Sequence, residues 1–322
     1  MNLRIFFTAD LHGSELAMNK LVNAAKFYNV KNIVIGGDLT GKVLVPIVRN
    51  GDRYELELFG EHKRVKEKDL PDIEHEIRLS GEYYRVMDKR EYEEAEASEK
   101  AIKRVFVEEM TSALKAFMDK AEERLKPLGA HIYLMAGNDD YEEVADYLAG
   151  MSSGAYSTMT DIDGRVTEIG GYSFLGYGYS NKTPWDSPRE RSEEALFKDL
   201  DRLAKGADPK RSVFVIHSPP YGTKIDRAPE LTSDKRQKIS AGYMATKAVG
   251  STATREIIEK YAPIAGLHGH IHEAMGMDYV KAKNGSMVPV FNPGSEYSSG
   301  VLSGIIIDFE GGKVSRYNFT KG

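Results

Sequence analysis

LRIFFTADLHG, residues 3–13, runs from a short apolar, β-branched and aromatic stretch straight into an acid and an imidazole two positions apart. Leu3 to Thr8 has the length and residue types of a buried strand. Asp10-Leu11-His12-Gly13 forms the turn behind it, and an apolar-periodic helix follows with Ser14 placed to cap it. The arrangement then repeats. Asn32 to Ile35 is a second strand that runs into Gly36-Gly37-Asp38. Ala130 to Met135 leads to Gly137-Asn138-Asp139-Asp140, Ser212 to Ile216 leads to His217-Ser218-Pro219-Pro220, and Ala265 to Leu267 leads to Gly269-His270-Ile271-His272. Five strand ends therefore carry metal-type ligands. In α/β sheets, ligand sites collect at the carboxyl ends of strands, because loops converge there on one crevice while the sheet fixes their origins.

The 322 residues are enough for one large α/β domain or two ordinary ones with buried cores. With 44 Lys and Arg against 49 Asp and Glu, no overall basic field draws in a phosphate backbone, which disfavours a dedicated nucleic-acid binder. The absence of cysteine removes disulfides and thiolate-ligated zinc, so any metal must be held by oxygen and imidazole. It also suits a reducing cytoplasm. The apolar run at the start is short, and no stretch approaches ~18 uninterrupted apolar residues. The reading is a soluble, cytoplasmic protein with no membrane segment.

Spacing breaks between the second and third blocks: 28 residues separate Asp10 from Asp38, and 100 separate Asp38 from Asn138. Residues 51–127 hold 16 of the 44 basic and 21 of the 49 acidic side chains, which leaves 28 of each sign elsewhere and puts the net charge of −5 in this stretch. We read a single domain, 1–322, carrying an inserted hairpin and helical subdomain at 43–127. Asn50-Gly51, between strands at Val43 to Val48 and Tyr54 to Phe59, signals a type I′ hairpin. A helix from about Glu91 to Lys126 carries Ile102, Phe106, Met110, Leu114, Phe117, Ala121 and Leu125 on one stripe. By the general rule that stripe packs on the parent domain or a helical neighbour. The sharper reading makes it a lid or the surface of a homo-oligomer. In the second half, Tyr179 to Arg189 is the most irregular stretch, between a strand at Phe174 to Gly178 and a helix opening near Ser192. A hairpin of Met275 to Val280 and Met287 to Phe291 about Asn284-Gly285 follows, then strands at Val301 to Phe309 and Lys313 to Phe319.

Two aspartates, one asparagine and four histidines are oxygen and nitrogen donors suited to manganese, iron, zinc or nickel, whereas magnesium and calcium would want more oxygens. Seven ligands are too many for one tetrahedral site with an open position. They fit two adjacent sites sharing a bridging carboxylate. Two cations about 3.5–4 Å apart can acidify a bridging water and neutralise charge during in-line displacement at phosphorus, which is the chemistry of a phosphate-ester hydrolase.

Asp10-x-His12, Gly37-Asp38, Gly137-Asn138-x-Asp140, His217 and Gly269-His270-x-His272 resemble, in order, the five motifs of calcineurin-like metallophosphoesterases. His217 to Gly222, Gly269 to Glu273 and Asn292-Pro293-Gly294 are similar to the Icc-type branch, which is related to cyclic-nucleotide phosphodiesterases. The resemblance spans residues 1 to about 310 outside the charged stretch. It implies an α/β fold, a four-layer α-β-β-α sandwich of two mixed sheets, and a phosphodiesterase acting on a small phosphate ester with two divalent ions, manganese foremost. By the same resemblance Asp10, His12 and His272 bind the first metal, Asn138, His217 and His270 bind the second, and Asp38 bridges them. One position departs from the pattern. Asp139 stands where the family has a histidine thought to protonate the leaving oxygen. An imidazole near ~6.5 can carry that proton at neutral pH, while an aspartate near ~3.9 is ionised unless its surroundings raise it, and dications push it lower. Asp139 therefore orients the departing group, binds a further cation, or is a solvated loop carboxylate.

Taken singly, Asp10 or Asp38 reads as a cap or turn former and the GND tripeptide as a common loop. Five blocks in order, each at a strand end, are what lift the metal reading above these. His62 and His75 read as solvated, His131 as structural, and His268 as a neighbour of the ligands at most. A protein phosphatase of this superfamily would carry an Arg soon after the second motif, where this chain has Leu39-Thr40-Gly41-Lys42, and a purple acid phosphatase a tyrosine ligand there. The rivals left standing are a nuclease, which predicts a basic groove, and a non-catalytic metal-binding scaffold that recruits a protein partner through the charged stretch.

Overall fold

A computed structural model of the chain describes every residue except 1, 152, 153, 233, 235, 241 and 242. Its first half runs β1 (Asn2–Thr8), α1 (Glu15–Phe27), β2 (Asn32–Ile35), β3 (Leu44–Asn50), β4 (Arg53–Leu58), β5 (Glu61–Lys66), α2 (Leu70–Leu79), β6 (Tyr83–Asp88), α3 (Lys89–Glu96), α4 (Glu99–Leu125), β7 (His131–Leu134) and α5 (Glu142–Met151). Next come β8 (Met159–Asp161), β9 (Arg165–Ile169), β10 (Tyr172–Tyr177), β11 (Ser180–Asn181), β12 (Glu190–Arg191), α6 (Glu193–Ala204) and β13 (Ser212–Ile216). Four short strands follow, β14 (Arg227–Pro229), β15 (Ile239–Ser240), β16 (Tyr243–Met244) and β17 (Thr246–Ala248). The chain closes with α7 (Thr252–Tyr261), β18 (Ala265–Leu267), β19 (Gly276–Lys281), β20 (Met287–Asn292), β21 (Ser303–Glu310) and β22 (Lys313–Lys321).

Two six-stranded mixed sheets dominate, ordered β22-β21-β1-β2-β7-β8 and β19-β20-β18-β13-β10-β9. Strand alternation sorts their side chains into three apolar layers. Leu3, Ile5 and Phe7 of β1 face Val213 and Val215 of β13 and Leu267 of β18 in the layer between the sheets. Phe6, Ile33 and Ile35 point the other way, onto Leu21 of α1, Leu114 of α4 and Leu148 of α5. On the far side Phe214 and Ile216 pack on Leu200 of α6 and Ile257 of α7. This is the four-layer α-β-β-α sandwich. Strands β1, β2 and β7 are parallel neighbours, as are β13 and β18, so the loops after them leave each sheet at one edge. Among the described residues no helix is long and apolar enough to cross a membrane.

The charged stretch is richer in strands than its sequence signals. Strands β3–β6 form a separate sheet, ordered β5-β4-β3-β6, around a small core that includes Ile47, Leu56 and Ile77. Asn50 pairs with Arg53, so the hairpin loop is Gly51-Asp52. Only Gly51 takes a positive φ, 65°, so the turn is not type I′, which needs one at both central residues. The expected single helix is two, because Ser98 turns extended and caps α4 by accepting from Ala101 N–H at 3.1 Å. Met110, Leu114, Phe117, Ala121 and Leu125 are buried in the layer shared with α1, so this part of the stripe packs on the parent domain. Similarly Lys281 pairs with Met287, and Asn284-Gly285 lies inside a wider loop, 282–286.

Glu122 of α4 fastens the entry to β8. It accepts from the N–H and hydroxyl of Ser157 at 3.1 and 2.5 Å and of Thr158 at 3.0 and 2.6 Å. Burial alone would raise its carboxyl, but these four donors outweigh it and hold it down to about 2. A depressed carboxyl stabilises the fold above its unfolded value near 4.5 and loses that contribution as pH falls from there towards 2. Glu122→Gln should cost about 2 kcal/mol at pH 7 and flatten the acid limb between pH 4.5 and 2, measured by denaturant unfolding across pH.

Candidate metal centre

Backbone hydrogen bonds join the first of the five donor-bearing loops to the second and the fifth to the fourth before any side chain is considered. Asp10 N–H donates to Gly37 O, His12 N–H to Asp38 O and Gly269 N–H to His217 O, each at 3.0 Å. The Asp38 and Asp10 carboxylates also accept from neighbouring loops: Asp139 N–H donates to Asp38 Oδ1 at 2.9 Å, and His270 N–H to Asp10 Oδ1 at 3.0 Å. Asp140, fully buried, braces the second loop against the third by accepting from Gly137 N–H at 2.7 Å, Leu39 N–H at 3.0 Å and Thr40 N–H at 2.9 Å. Of eight non-glycine residues with positive φ among the described residues, four are Asp10, His12, Asp38 and His270. Aspartate and histidine tolerate that region better than most, yet each placement costs about 1 kcal/mol or more.

All seven residues singled out in the sequence meet in one cluster. Donor atoms of Asp10, His12, Asp38 and His272 lie within 4.8 Å of one another, a group able to hold a metal ion. Within it His12 Nε2 and His272 Nε2 are 3.0 Å apart, and His272 Nε2 is 3.5 Å from Asp10 Oδ1. Asn138 Oδ1 lies 2.9 Å from His217 Nε2 and 2.7 Å from His270 Nδ1. Asp38 Oδ2 sits between the two groups, 3.5 Å from His12 Nε2 and 3.4 Å from His217 Nε2. His217 donates Nδ1–H to Gly36 O at 2.7 Å, which turns Nε2 inward. His270 and His272 are the half-buried members, opening onto a cavity of about 840 Å³ with Trp185 and Tyr221 on its wall.

Electrostatically the cluster calls for positive charge. Burial pushes the Asp10 carboxyl up, but His272 and His217 outweigh it and hold it below its ordinary value. Asp38 is opposed by burial in the same way and held well below by His217 and His12. Burial holds His12 and His270 neutral, each down to about 3, leaving imidazole lone pairs to donate. For His217, burial is outweighed by Asp38, Asp10 and the Gly36 carbonyl, which push it up to about 9. Within the chain itself, then, protons on histidine balance the two carboxylates. A borderline divalent cation fits the same oxygen and nitrogen donors and would replace those protons. Buried His12 Nδ1 has no hydrogen-bond partner, a further sign that the protein's own polar groups leave this cluster incompletely satisfied.

Asp139 is not a solvated loop carboxylate. Its side chain is 17% exposed and lies 2.5 Å from Lys42 Nζ. It also accepts from Ser187 Oγ at 2.5 Å and from Asn138 Nδ2 at 3.0 Å, the last of which turns Asn138 Oδ1 towards the histidines. Burial and Asp38 raise its carboxyl, with Lys42 and Ser187 opposing. Lys42 stood out in the sequence only for its place after the second motif, and Ser187, Arg189 and Tyr297 had no role there. The Tyr297 ring lies tilted against His12, with centroids 4.5 Å apart. The other histidines stay outside: His62 and His75 are exposed, His131 meets Thr160 Oγ1 at 2.8 Å, and His268 is buried against Ile216 O at 2.7 Å.

No protein-family profile matches the chain. It is 32% identical over 162 residues to the uncharacterized protein MJ1162 of Methanocaldococcus jannaschii, a match spanning 49% of this chain and 64% of that one. Two crystal structures align over the whole chain and 99% of their own. One has 16% identity and a TM-score of 0.56; the other, TT1561 of Thermus thermophilus, has 14% and 0.52. A structure described as a novel archaeal phosphodiesterase aligns over 99% of this chain and all of its own at 12% identity, but its TM-score of 0.38 is too low to argue from. The architecture is that of an α/β sandwich built on two mixed six-stranded sheets.

Loop packing at the cluster leaves no room for added carbon. A Cβ on Gly137 would lie 2.1 Å from Asp38 Oδ1 and 2.3 Å from Asp38 N, and one on Gly37, φ 107°, would lie 2.6 Å from His217 Nδ1. Gly137→Ala should lower stability by about 2 kcal/mol and, where the cluster takes up a divalent cation, weaken that binding at least ~10-fold, read by thermal melts and calorimetry.

Proposed function

We propose that this chain is a metal-dependent phosphate-ester hydrolase, a phosphodiesterase, working with two divalent cations of which manganese is the first to test. Asp10, His12 and His272 would hold one cation and Asn138, His217 and His270 the other, with Asp38 shared. The observation that carries this reading is the position of Asp38 Oδ2, 3.5 Å from His12 Nε2 and 3.4 Å from His217 Nε2, within reach of both sets of ligands. Bound cations would supply the charge that acidifies water and neutralises phosphate oxygens during displacement.

The chain's own residues do the remaining work. His217 and His270 are fixed by Gly36 O and Asn138 Oδ1, so the ligand cage is largely set before anything binds. The cavity leaves the organic part of an ester room beside Trp185 and Tyr221. Lys42 brings a positive charge to the same cavity: burial pulls its ammonium down, but Asp139 and Asp38 outweigh that and keep it protonated. Asp139 already accepts from Lys42, Ser187 and Asn138, so we assign it to orienting Asn138 and Lys42 rather than to protonating the leaving oxygen.

Chelator-treated protein should lose hydrolysis of bis-nitrophenyl phosphate and recover it with manganese. Activity surviving exhaustive metal removal would overturn the reading. Asp38→Asn should lower kcat/KM more than Asp10→Asn, since Asp38 Oδ2 lies closer to the second ligand set, 3.4 Å from His217 Nε2 against 3.9 Å for Asp10 Oδ1. Without a proton donor at 139, rates should fall steeply as leaving-group pKa rises, and Asp139→His should flatten that slope. A shallow slope in the unmodified protein, lost in Asp139→Asn, would make Asp139 the acid instead.

A further inference from the structure

The irregular stretch between β10 and α6 has no part in the ligand set, yet it contains the most deeply buried guanidinium of the molecule. Arg189 is 2% exposed. A full charge removed from water needs partners, and Arg189 has them on every side. Its guanidinium pairs closely with Asp163, reaches Glu142 Oε2 at 3.3 Å, and lies 4.1 Å over the Tyr179 ring. Asp163, in the turn between β8 and β9, also accepts from Gly178 N–H at 2.9 Å, which ties the pair to the end of β10.

Two further contacts land on the loop that carries Asn138. Arg189 Nη1–H donates to Gly137 O at 3.1 Å, and its backbone N–H donates to Asn138 O at 3.0 Å. Those carbonyls lie on either side of Asn138, so one residue holds the peptide groups before and after it. Two positions earlier, Ser187 Oγ donates to Asp139, which in turn accepts from the Asn138 amide. The two loops are pressed together: a Cβ on Gly178 would lie 1.8 Å from Ala136 O and 2.9 Å from Arg189 Nη1.

We infer that Arg189 is a positioning residue that sets Asn138 for the second of the two cations, by clamping the Gly137-Asn138 backbone of one sheet to Asp163 and Tyr179 at the other. The inference rests on the two-cation reading above. Asn138 is the one uncharged amide among the ligands, so its contribution depends on prearranged geometry more than that of a carboxylate does. Arg189 touches neither His12 nor His272, and the first ligand set has no such dependence. Lysine keeps the charge but cannot span Gly137 O and Asp163 as a planar fork does.

The test is a manganese titration by calorimetry of chelator-stripped wild type, Arg189→Met and Arg189→Lys, with melting temperature recorded for each. Wild type should bind two ions. Arg189→Met should bind one ion with wild-type affinity and the other ~10–100-fold more weakly, with Arg189→Lys intermediate. If Arg189→Met does not fold, Arg189→Lys alone decides, since it retains the buried charge. Two ions bound with unchanged affinities in the folded variants would overturn the inference, as would equal loss at both sites. Wild type binding fewer than two ions would instead overturn the two-cation reading, and this inference with it.

Discussion

Asp10 and Asp38, two ionised carboxylates with 1% exposure each, share a single cluster, and the rest of the structure answers to that constraint. Like charges so placed repel, and each has lost its water. The chain compensates by surrounding them with four imidazoles and by aiming backbone N–H groups at both, from Asp139 to Asp38 and from His270 to Asp10. Such a solution requires backbone to pass close to side chains. That explains why glycine precedes Asp38, Asn138 and His270, and why four residues of the cluster adopt left-handed backbone. Strain of this kind persists only where neighbouring structure over-determines it.

The over-determination comes from the sandwich. Apolar side chains between the sheets, Phe7 and Val34 from one and Val215, Leu267 and Phe291 from the other, fix how the sheets stack. Loops of one sheet thereby meet loops of the other. Asp140 then braces two loops of the first sheet, and Asn292 donates from β20 to Gly269 O at 3.3 Å and Ile271 O at 2.9 Å in the second. Arg189 crosses between them. The cluster is therefore held in place by supports that are buried and hydrogen-bonded, while its own members are only the innermost layer.

The charged stretch is joined to this frame at several places besides Glu122. Tyr83 of β6 accepts from Gly41 N–H at 2.9 Å, between Asp38 and Lys42, and α4 packs beside α1 in the outer apolar layer. Its small sheet has a core of its own, but its long helix is part of the main one. Charge segregation marked the stretch in the sequence because an exposed surface tolerates acid and base freely. The same segregation hid strand β5, whose residues are too polar to show a clean alternation.

What the sequence determined by itself was local and repetitive: five short apolar strands, each ending in a donor residue, together with the helix opened by Ser14 and the one opened by Ser192. Buried strands are apolar over several consecutive residues, and donors at their ends interrupt that run, so both leave a mark that needs no partner to be read. Lys42, Tyr297 and Arg189 left no such mark, and Asp139 showed its place in the third block but not its partners. Each owes its place to a residue far along the chain: Lys42 meets Asp139, His12 meets Tyr297, and Arg189 meets Asp163 and Gly137. An isolated Asp, Lys or Arg in a polar loop looks the same whether water or another loop surrounds it. Only the stacking of the two sheets decided which it would be, because burial and charge pairing are properties of the space between loops and not of the loops themselves.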